Sequence, residues 1–204
     1  MEHSSNSITL RGELSSLPQF SHENHGRRFW RFLLEVKRLS GAIDLLPVVA
    51  PEAMIQGLDP SAGAMLTVTG QIRSHNQRTD GVRHLLIFVF ASSITVEDGE
   101  PCNQVTLEGA LCRTPVCRRT PLGREICDVM LAVPRAFHRA DYLPCILWGR
   151  TAQELSCCDT GDVIQICGRL QSRIYSKLTE EGQLIERTAY EISALTAQCI
   201  PEDA

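Results

Sequence analysis

The sequence predicts an all-β chain in which one module is written twice, and three observations carry that prediction. NSITLRGELSSLP at 6–18 matches NQVTLEGALCRTP at 103–115, a spacing of 97. The same offset aligns Gly26 with Gly123, Val36 with Val133, Arg38 with Arg135, Asp44 with Asp141 and Pro47 with Pro144. One insertion later, TVTGQIRS at 67–74 matches QICGRLQS at 165–172. Agreement over this length marks a tandem duplication, with units at 1–97 and 101–197 and the acidic joint EDGEP at 97–101. Within each unit, short apolar or alternating segments are bounded by Gly, Pro and Asp, the pattern of strands. At most one short stretch per unit reads as helix.

The elements are plainest in the second unit. VTLEGAL alternates through Val105, Leu107 and Leu111, with Gly109 as the bend of a curled strand. RTPLGRE at 119–125 places Pro and Gly where a turn requires them. Residues 126–133 form an almost continuously apolar second strand, and 142–148 a third. A short helix is expected over 150–155, before the turn TGD at 160–162. A long fourth strand covers 162–175, and a polar tip containing Gly182 leads to a fifth, ERTAYEISAL. Five strands with a short helix between the third and fourth is the order of an OB-fold barrel. A sandwich needs seven or more strands per repeat, more than the segments available. The predicted fold is therefore two tandem five-stranded OB-fold barrels.

Composition narrows the function. The chain has 204 residues, enough for two domains of ordinary size, and 43% hydrophobic content supplies their cores. No apolar run reaches the roughly 20 residues that span a bilayer, and MEHSSNSITL does not read as a signal peptide. A cytoplasmic protein, nucleoid-associated and without a membrane partner, is expected. All nine cysteines lie between Cys102 and Cys199 with no CxxC pair, so neither a metal nor any other cofactor is expected. Their odd number fits reduced thiols, several of them packed in a core. The histidines form no HxH or HExxH spacing, and there is no phosphate loop or nucleophile elbow, so the chain does not read as an enzyme.

Net charge is −4, yet the cations are eighteen arginines against two lysines, Lys37 and Lys177. Arginine binds phosphate bidentately and stacks on bases, although an arginine-favouring genome would give the same bias. Strand parity then places these cations beside rings. In GRLQSRIY at 168–175, Leu170 and Ile174 face one way, and Arg169, Gln171, Arg173 and Tyr175 the other. In DYLPCILWGR at 141–150, Leu143, Cys145 and Leu147 share one face, and Tyr142, Ile146 and Trp148 the opposite one. An outer surface of rings and guanidinium groups suits single-stranded nucleic acid.

NQVTLEGAL, TPLGRE before a strand ending LAV, DYLPCILWGR and GDVIQICGRLQSRIY together resemble the bacterial single-stranded DNA-binding protein family, including its relative primosomal replication protein N. The resemblance covers both repeats and is clearer in the second. It implies sequence-tolerant binding and protection of single-stranded DNA in replication, repair or recombination. By position, it places stacking rings at Phe137, Tyr142, Trp148 and Tyr175. It also implies assembly through barrels, so a homodimer would present four.

The first repeat has Ser40, Leu45, Pro51 and Gln77 at the ring positions, so it is expected to be mainly structural. Its own Phe29, Trp30 and Phe32 lie on the second strand, where core or subunit contacts are expected. Arg118, Arg119 and Arg124 flank a hairpin tip that contacts ligand in many OB folds. Arg135, Arg150, Arg169, Arg173 and Lys177 complete the candidate set. Core packing for Trp148 or Phe137, and a solvated surface for the charged groups, are the alternatives. Because CIPEDA follows the last strand almost directly, replication proteins are not expected to be recruited through an acidic tail. The competing function is an adaptor in replication restart or a mobile element that binds another protein on a barrel face.

Overall fold

The computed structural model describes residues 5–56, 58, 61, 63–79, 82–178 and 182–201, with backbone alone at 79, 82, 83, 177 and 178. The first repeat runs β1 (Asn6–Leu14), β2 (Gln19–Asn24), β3 (Arg27–Lys37), β4 (Ile43–Pro51), α1 (Glu52–Gln56), β5 (Met65–Thr79) and β6 (Val82–Val96). The second repeats the order as β7 (Cys102–Leu111), β8 (Val116–Arg119), β9 (Glu125–Arg135), β10 (Arg139–Trp148), α2 (Gly149–Glu154), β11 (Val163–Leu178) and β12 (Leu184–Cys199). Each unit holds the five expected strands and the short helix, plus one additional arm, β2 or β8, paired to the edge of the second barrel strand.

Each unit closes on itself in the OB manner. β1 pairs with β3 and β5, β3 with β4, β4 with β6 in parallel, and β5 with β6. The second repeat closes identically through β7, β9, β10, β12 and β11. Closure forces one strand to cross another closely, and glycine makes room for that crossing. A Cβ on Gly12 would stand 2.2 Å from the Glu35 carbonyl oxygen, and one on Gly109 would stand 2.7 Å from that of Ala132. Gly109, read from the sequence as a bend, is thus the seam of its barrel.

Alternation fills the cores. Ile8, Leu10, Leu34, Val36, Leu46, Val48, Val68 and Val89 line the first, and Val105, Leu107, Leu131, Val133, Leu143, Leu147, Ile166 and Ile192 the second. Leu143, Cys145 and Leu147 point inward as parity requires. Burial departs from the parity expectation at three positions, the first being Ile146, predicted on the outer face but only 7% exposed. Ile174 is 68% exposed, because the β11–β12 hairpin continues past the barrel. Gln171 keeps its predicted side of β11, opposite the core residue Leu170, and is buried there beside Glu191, to which it donates at 2.8 Å.

The two barrels join through β1 and β7, antiparallel and centred on Ile8 opposite Val105, two residues at the same place in the repeat. The contact is therefore a two-fold interface inside one chain. It is locked reciprocally. Asp44, fully buried, accepts from the Ser172 backbone N–H at 2.7 Å and from its hydroxyl at 3.1 Å, while Arg38 grips the carboxylate at 2.6 and 2.5 Å. Asp141, also fully buried, accepts from the Ser74 N–H at 2.7 Å and is paired with Arg73 at 3.0 Å and Arg135 at 3.3 Å. Within each unit, the Asn6 side chain brackets the Ile72 amide and Asn103 that of Leu170.

The cysteines depart from the expectation of uniformly reduced thiols. Cys117 and Cys127 form a disulfide because the β8–β9 register sets them directly opposite. Cys145 and Cys158 are free and buried, as expected of core thiols.

Replacing Asp44 with Ala strips the counter-charge from Arg38 and the acceptor from the Ser172 amide inside the seam. A loss of about 3–5 kcal/mol is expected, measured by urea denaturation. A loss below about 1 kcal/mol would show that the carboxylate does not hold the barrels together.

Candidate nucleic-acid interface

The candidate residues of the second repeat fall on three surfaces. The first is a cleft of about 600 Å³ lined by Arg119, Gly123, Arg124, Glu125, Trp148, Gly149, Arg150 and Gln153. The sequence builds it locally. β10 ends at Trp148, where Gly149 with φ 54° turns the chain into α2. The β8–β9 hairpin folds over from the other side, its turn made by Gly123 at φ 80° and by the Thr120 hydroxyl accepting from the Arg124 N–H at 3.0 Å. Trp148 is half-buried and donates its indole N–H to the Ser193 hydroxyl at 3.1 Å. The ring is fixed in orientation, and part of it remains open to the cleft.

Around that ring the guanidinium groups are differently engaged. Arg119 pairs with Glu125 at 3.0 Å, Arg150 with Glu154 at 2.7 Å, and Arg118, outside the cleft lining, with Asp128 at 3.0 Å. These pairs are solvent-exposed, and such pairs contribute about 0–1 kcal/mol, so a phosphate can replace the carboxylate. Arg124 has no carboxylate partner among the described residues. Hydrogen bonds from Gln153 and then Arg119 hold Glu125 below the usual carboxylate range, so it stays ionised at neutral pH.

The second surface is a groove of about 510 Å³ between the repeats, where Tyr175 stands with Gln77, His84, Leu86, Pro144 and Arg187. Tyr175 is 36% exposed, and Arg173 lies over its ring at 5.7 Å from the centroid. Arg187 donates to His84 Nδ1 at 3.1 Å, joining the two long hairpins. The third is the junction where Tyr142, 47% exposed, donates its backbone N–H to Ser74 Oγ at 2.8 Å. Phe137 stands apart at the tip of the β9–β10 turn, 91% exposed.

One candidate arginine has other employment and another is half-buried. Arg135 belongs to the Asp141 lock, like its counterpart Arg38 at Asp44. Arg169 is half-buried, with a buried Nε that has no hydrogen-bond partner among the described residues. The Lys177 side chain lies outside the described residues.

Sequence reasoning named Phe29 and Trp30 on the first repeat but missed the ring cluster they form with Phe20 and His22. Phe20 and Trp30 meet edge to face at 6.4 Å, with Arg28 5.2 Å and 5.9 Å from their centroids. His22 stacks on Phe29 at 4.9 Å, and Phe29 contacts Phe90. Phe20 sits on an arm strand too short and polar to be recognised alone. Register shows its place: Phe20 and Trp30 occupy the positions of Cys117 and Cys127 in the other repeat. The cluster is largely self-satisfied, with Arg28 and the Trp30 indole both bound to Glu52. Phe32 is in the core.

Two tandem OB barrels, one of them carrying rings and exchangeable cations on its outer surfaces, define a binding protein built on the OB fold. Residues 102–200 match the single-strand binding protein family. Single-stranded DNA-binding protein B of Bacillus subtilis is 39% identical over 87 residues, covering 39% of this chain and 75% of that protein. Single-stranded DNA-binding protein 1 of Lactococcus lactis is 34% identical over 105 residues, covering 48% of this chain and 67% of that protein. The wild-type single-stranded DNA binding protein from Thermus aquaticus superposes with a TM-score of 0.79 at 22% identity, covering 97% of this chain and 93% of that one. That likeness concerns the fold, and it runs through both repeats. The chain belongs to the single-strand binding protein family.

Phe137 has φ 62° and His138 φ 53°, left-handed backbone that non-glycine residues adopt at a cost of roughly 1–2 kcal/mol. With its ring in solvent, Phe137→Gly is expected to leave urea stability unchanged or raise it by up to about 1 kcal/mol. A loss of more than about 1 kcal/mol would mean that the ring packs against the protein.

Proposed function

We propose that this protein binds and protects single-stranded DNA with little regard to sequence, in replication, repair or recombination. The observation that carries the reading is the cleft in which Trp148 stands among Arg119, Arg124 and Arg150. A base entering it stacks on the open part of the indole, whose N–H is already satisfied by Ser193. The backbone phosphates on either side exchange Glu125 and Glu154 for themselves on Arg119 and Arg150. Family membership supports the same ligand, since the Bacillus and Lactococcus relatives are single-stranded DNA-binding proteins by name.

In this reading the second repeat is the principal binding unit. Tyr175 in the groove between the repeats and Tyr142 at their junction offer further stacking positions, and Phe137 offers an exposed ring at the β9–β10 turn. The first repeat serves mainly as scaffold, its rings engaged with one another and with Arg28. Two chains assembled through their barrels would present four.

The test is tryptophan fluorescence during titration with oligo-dT at several salt concentrations. Quenching is expected, with a log–log salt slope near −0.7 per phosphate contacted. Trp148→Ala is expected to remove most of the quenching and to weaken binding by about 1–3 kcal/mol. Trp30, held to Glu52, should contribute little to the signal. No binding at low salt would reject the reading in favour of a protein-binding adaptor.

Glu125 sets a second, opposite expectation. Glu125→Gln releases Arg119 from its ion pair, so binding should tighten about two- to fivefold, up to about 1 kcal/mol, and the salt slope should steepen. Weaker binding in that variant would mean that Glu125 positions Arg119 for the ligand.

A further inference from the structure

The turn between α2 and β11 and the end of β12 bring together three groups that DNA binding leaves unused. The Sγ atoms of Cys158 and Cys199 and a carboxylate oxygen of Asp162 all lie within 4.8 Å of one another. Cys158 is 7% exposed, and the other two close the site from the solvent side. The supporting backbone is fixed by pairing. Cys199 stands opposite Ile164, and the Ile200 N–H donates to the Val163 carbonyl at 2.8 Å. Asp162 Oδ2 accepts from the Asp159 N–H at 2.8 Å, and the Gly161 N–H donates to the Leu111 carbonyl at 2.9 Å. The three donors are thereby aimed at one point by strand register and a tight turn.

The duplication supplies a control. Leu66 pairs with Val96 where Ile164 pairs with Cys199, and Ala64 holds the position of Asp162. Among the described residues the first barrel closes without such a cluster, so the cluster is an addition to the fold rather than part of its closure.

We propose that Cys158, Cys199 and Asp162 form a site for a divalent transition metal ion, with zinc(II) the best match. Two thiolates and one carboxylate suit a borderline-soft ion, and magnesium or calcium would require an all-oxygen set. Tetrahedral zinc at about 2.3 Å from each sulfur sets the two sulfurs about 3.8 Å apart, inside the observed limit. The neighbouring Cys157 thiol is directed to the Glu154 carbonyl at 3.5 Å, which leaves the fourth position to solvent. The ion ties the end of the last strand to the turn after α2, pinning the closure of the barrel that carries Trp148. No spacing in the chain pointed to it, because its two cysteines sit 41 residues apart with no CxxC pair.

The experiment is a cobalt(II) titration of the full chain, reduced with a phosphine under argon, followed by displacement with zinc(II). One equivalent of cobalt is expected, with a near-ultraviolet thiolate-to-metal absorption and the visible bands of a tetrahedral site. Zinc should abolish these and raise the Tm. Cys199→Ser and Asp162→Ala, both on the solvent side of the site, should each weaken binding by about tenfold or more, and Cys199→Ser should lose about half the charge-transfer intensity. Cys117→Ser should leave the signal unchanged, which separates this site from thiols released by reducing the β8–β9 disulfide. The proposal is overturned by an absent charge-transfer band in the reduced wild type, or by one that survives undiminished in Cys199→Ser. A Cys158–Cys199 disulfide in air-exposed protein with no metal bound after reduction overturns it equally.

Discussion

The architecture depends on two buried carboxylates that each reach into the other repeat. Asp44 and Asp141 are fully buried, and each satisfies the backbone N–H of a serine that belongs to the opposite barrel. A buried charge is tolerable only when paired and fully hydrogen-bonded. Here Arg38 supplies the counter-charge to one, and Arg73 with Arg135 supplies it to the other. Such a pair is weak evidence of net stabilisation but strong evidence of geometry, because any slip of β1 along β7 would take each carboxylate away from the serine N–H of the other repeat. The seam thus fixes the relation of the barrels more by the cost of misalignment than by the strength of its contacts.

That seam has the form of a dimer interface. Isologous contacts, in which a patch meets its own copy, ordinarily join two identical chains. Here they join two repeats, centred on Ile8 and Val105. Once fused, the halves no longer have to be identical, and their surfaces have separated while the frame has not. One hairpin is stapled by an edge-to-face Phe20–Trp30 pair and its equivalent by a disulfide between Cys117 and Cys127. Pro51 ends the strand that in the second repeat ends in Trp148, and Gln77 stands where the second repeat has Tyr175.

Local electrostatics reconcile a net charge of −4 with a polyanionic ligand. Arg119 and Arg150 are held by surface carboxylates that phosphate can displace, so they are preorganised without being neutralised. Exposed ion pairs of this kind lose little when exchanged. The arginines in the seam, by contrast, are bound to buried carboxylates and are not available to a ligand.

The repeats, the barrel strand order, the helix position and the inward face of Leu143, Cys145 and Leu147 were legible in the sequence, because each follows from local periodicity or self-similarity. So was the outward ring of Tyr142, since parity needs no tertiary information. Other features needed the fold. Gln171 is buried on its outward side by Glu191, and Ile174 is exposed on its inward side because the hairpin is longer than its barrel. Arg135 left the candidate surface because its partner Asp141 is buried by the other repeat, a relation no linear spacing encodes. The same holds for the Cys117–Cys127 pairing, the Phe20–Trp30 arm and the convergence of Cys158, Asp162 and Cys199. Sequence by itself determined which side of each strand faces a core, since backbone geometry alternates side chains at every residue. Tertiary structure decided which charged and thiol groups meet, since long-range strand register brings together residues that are far apart along the chain.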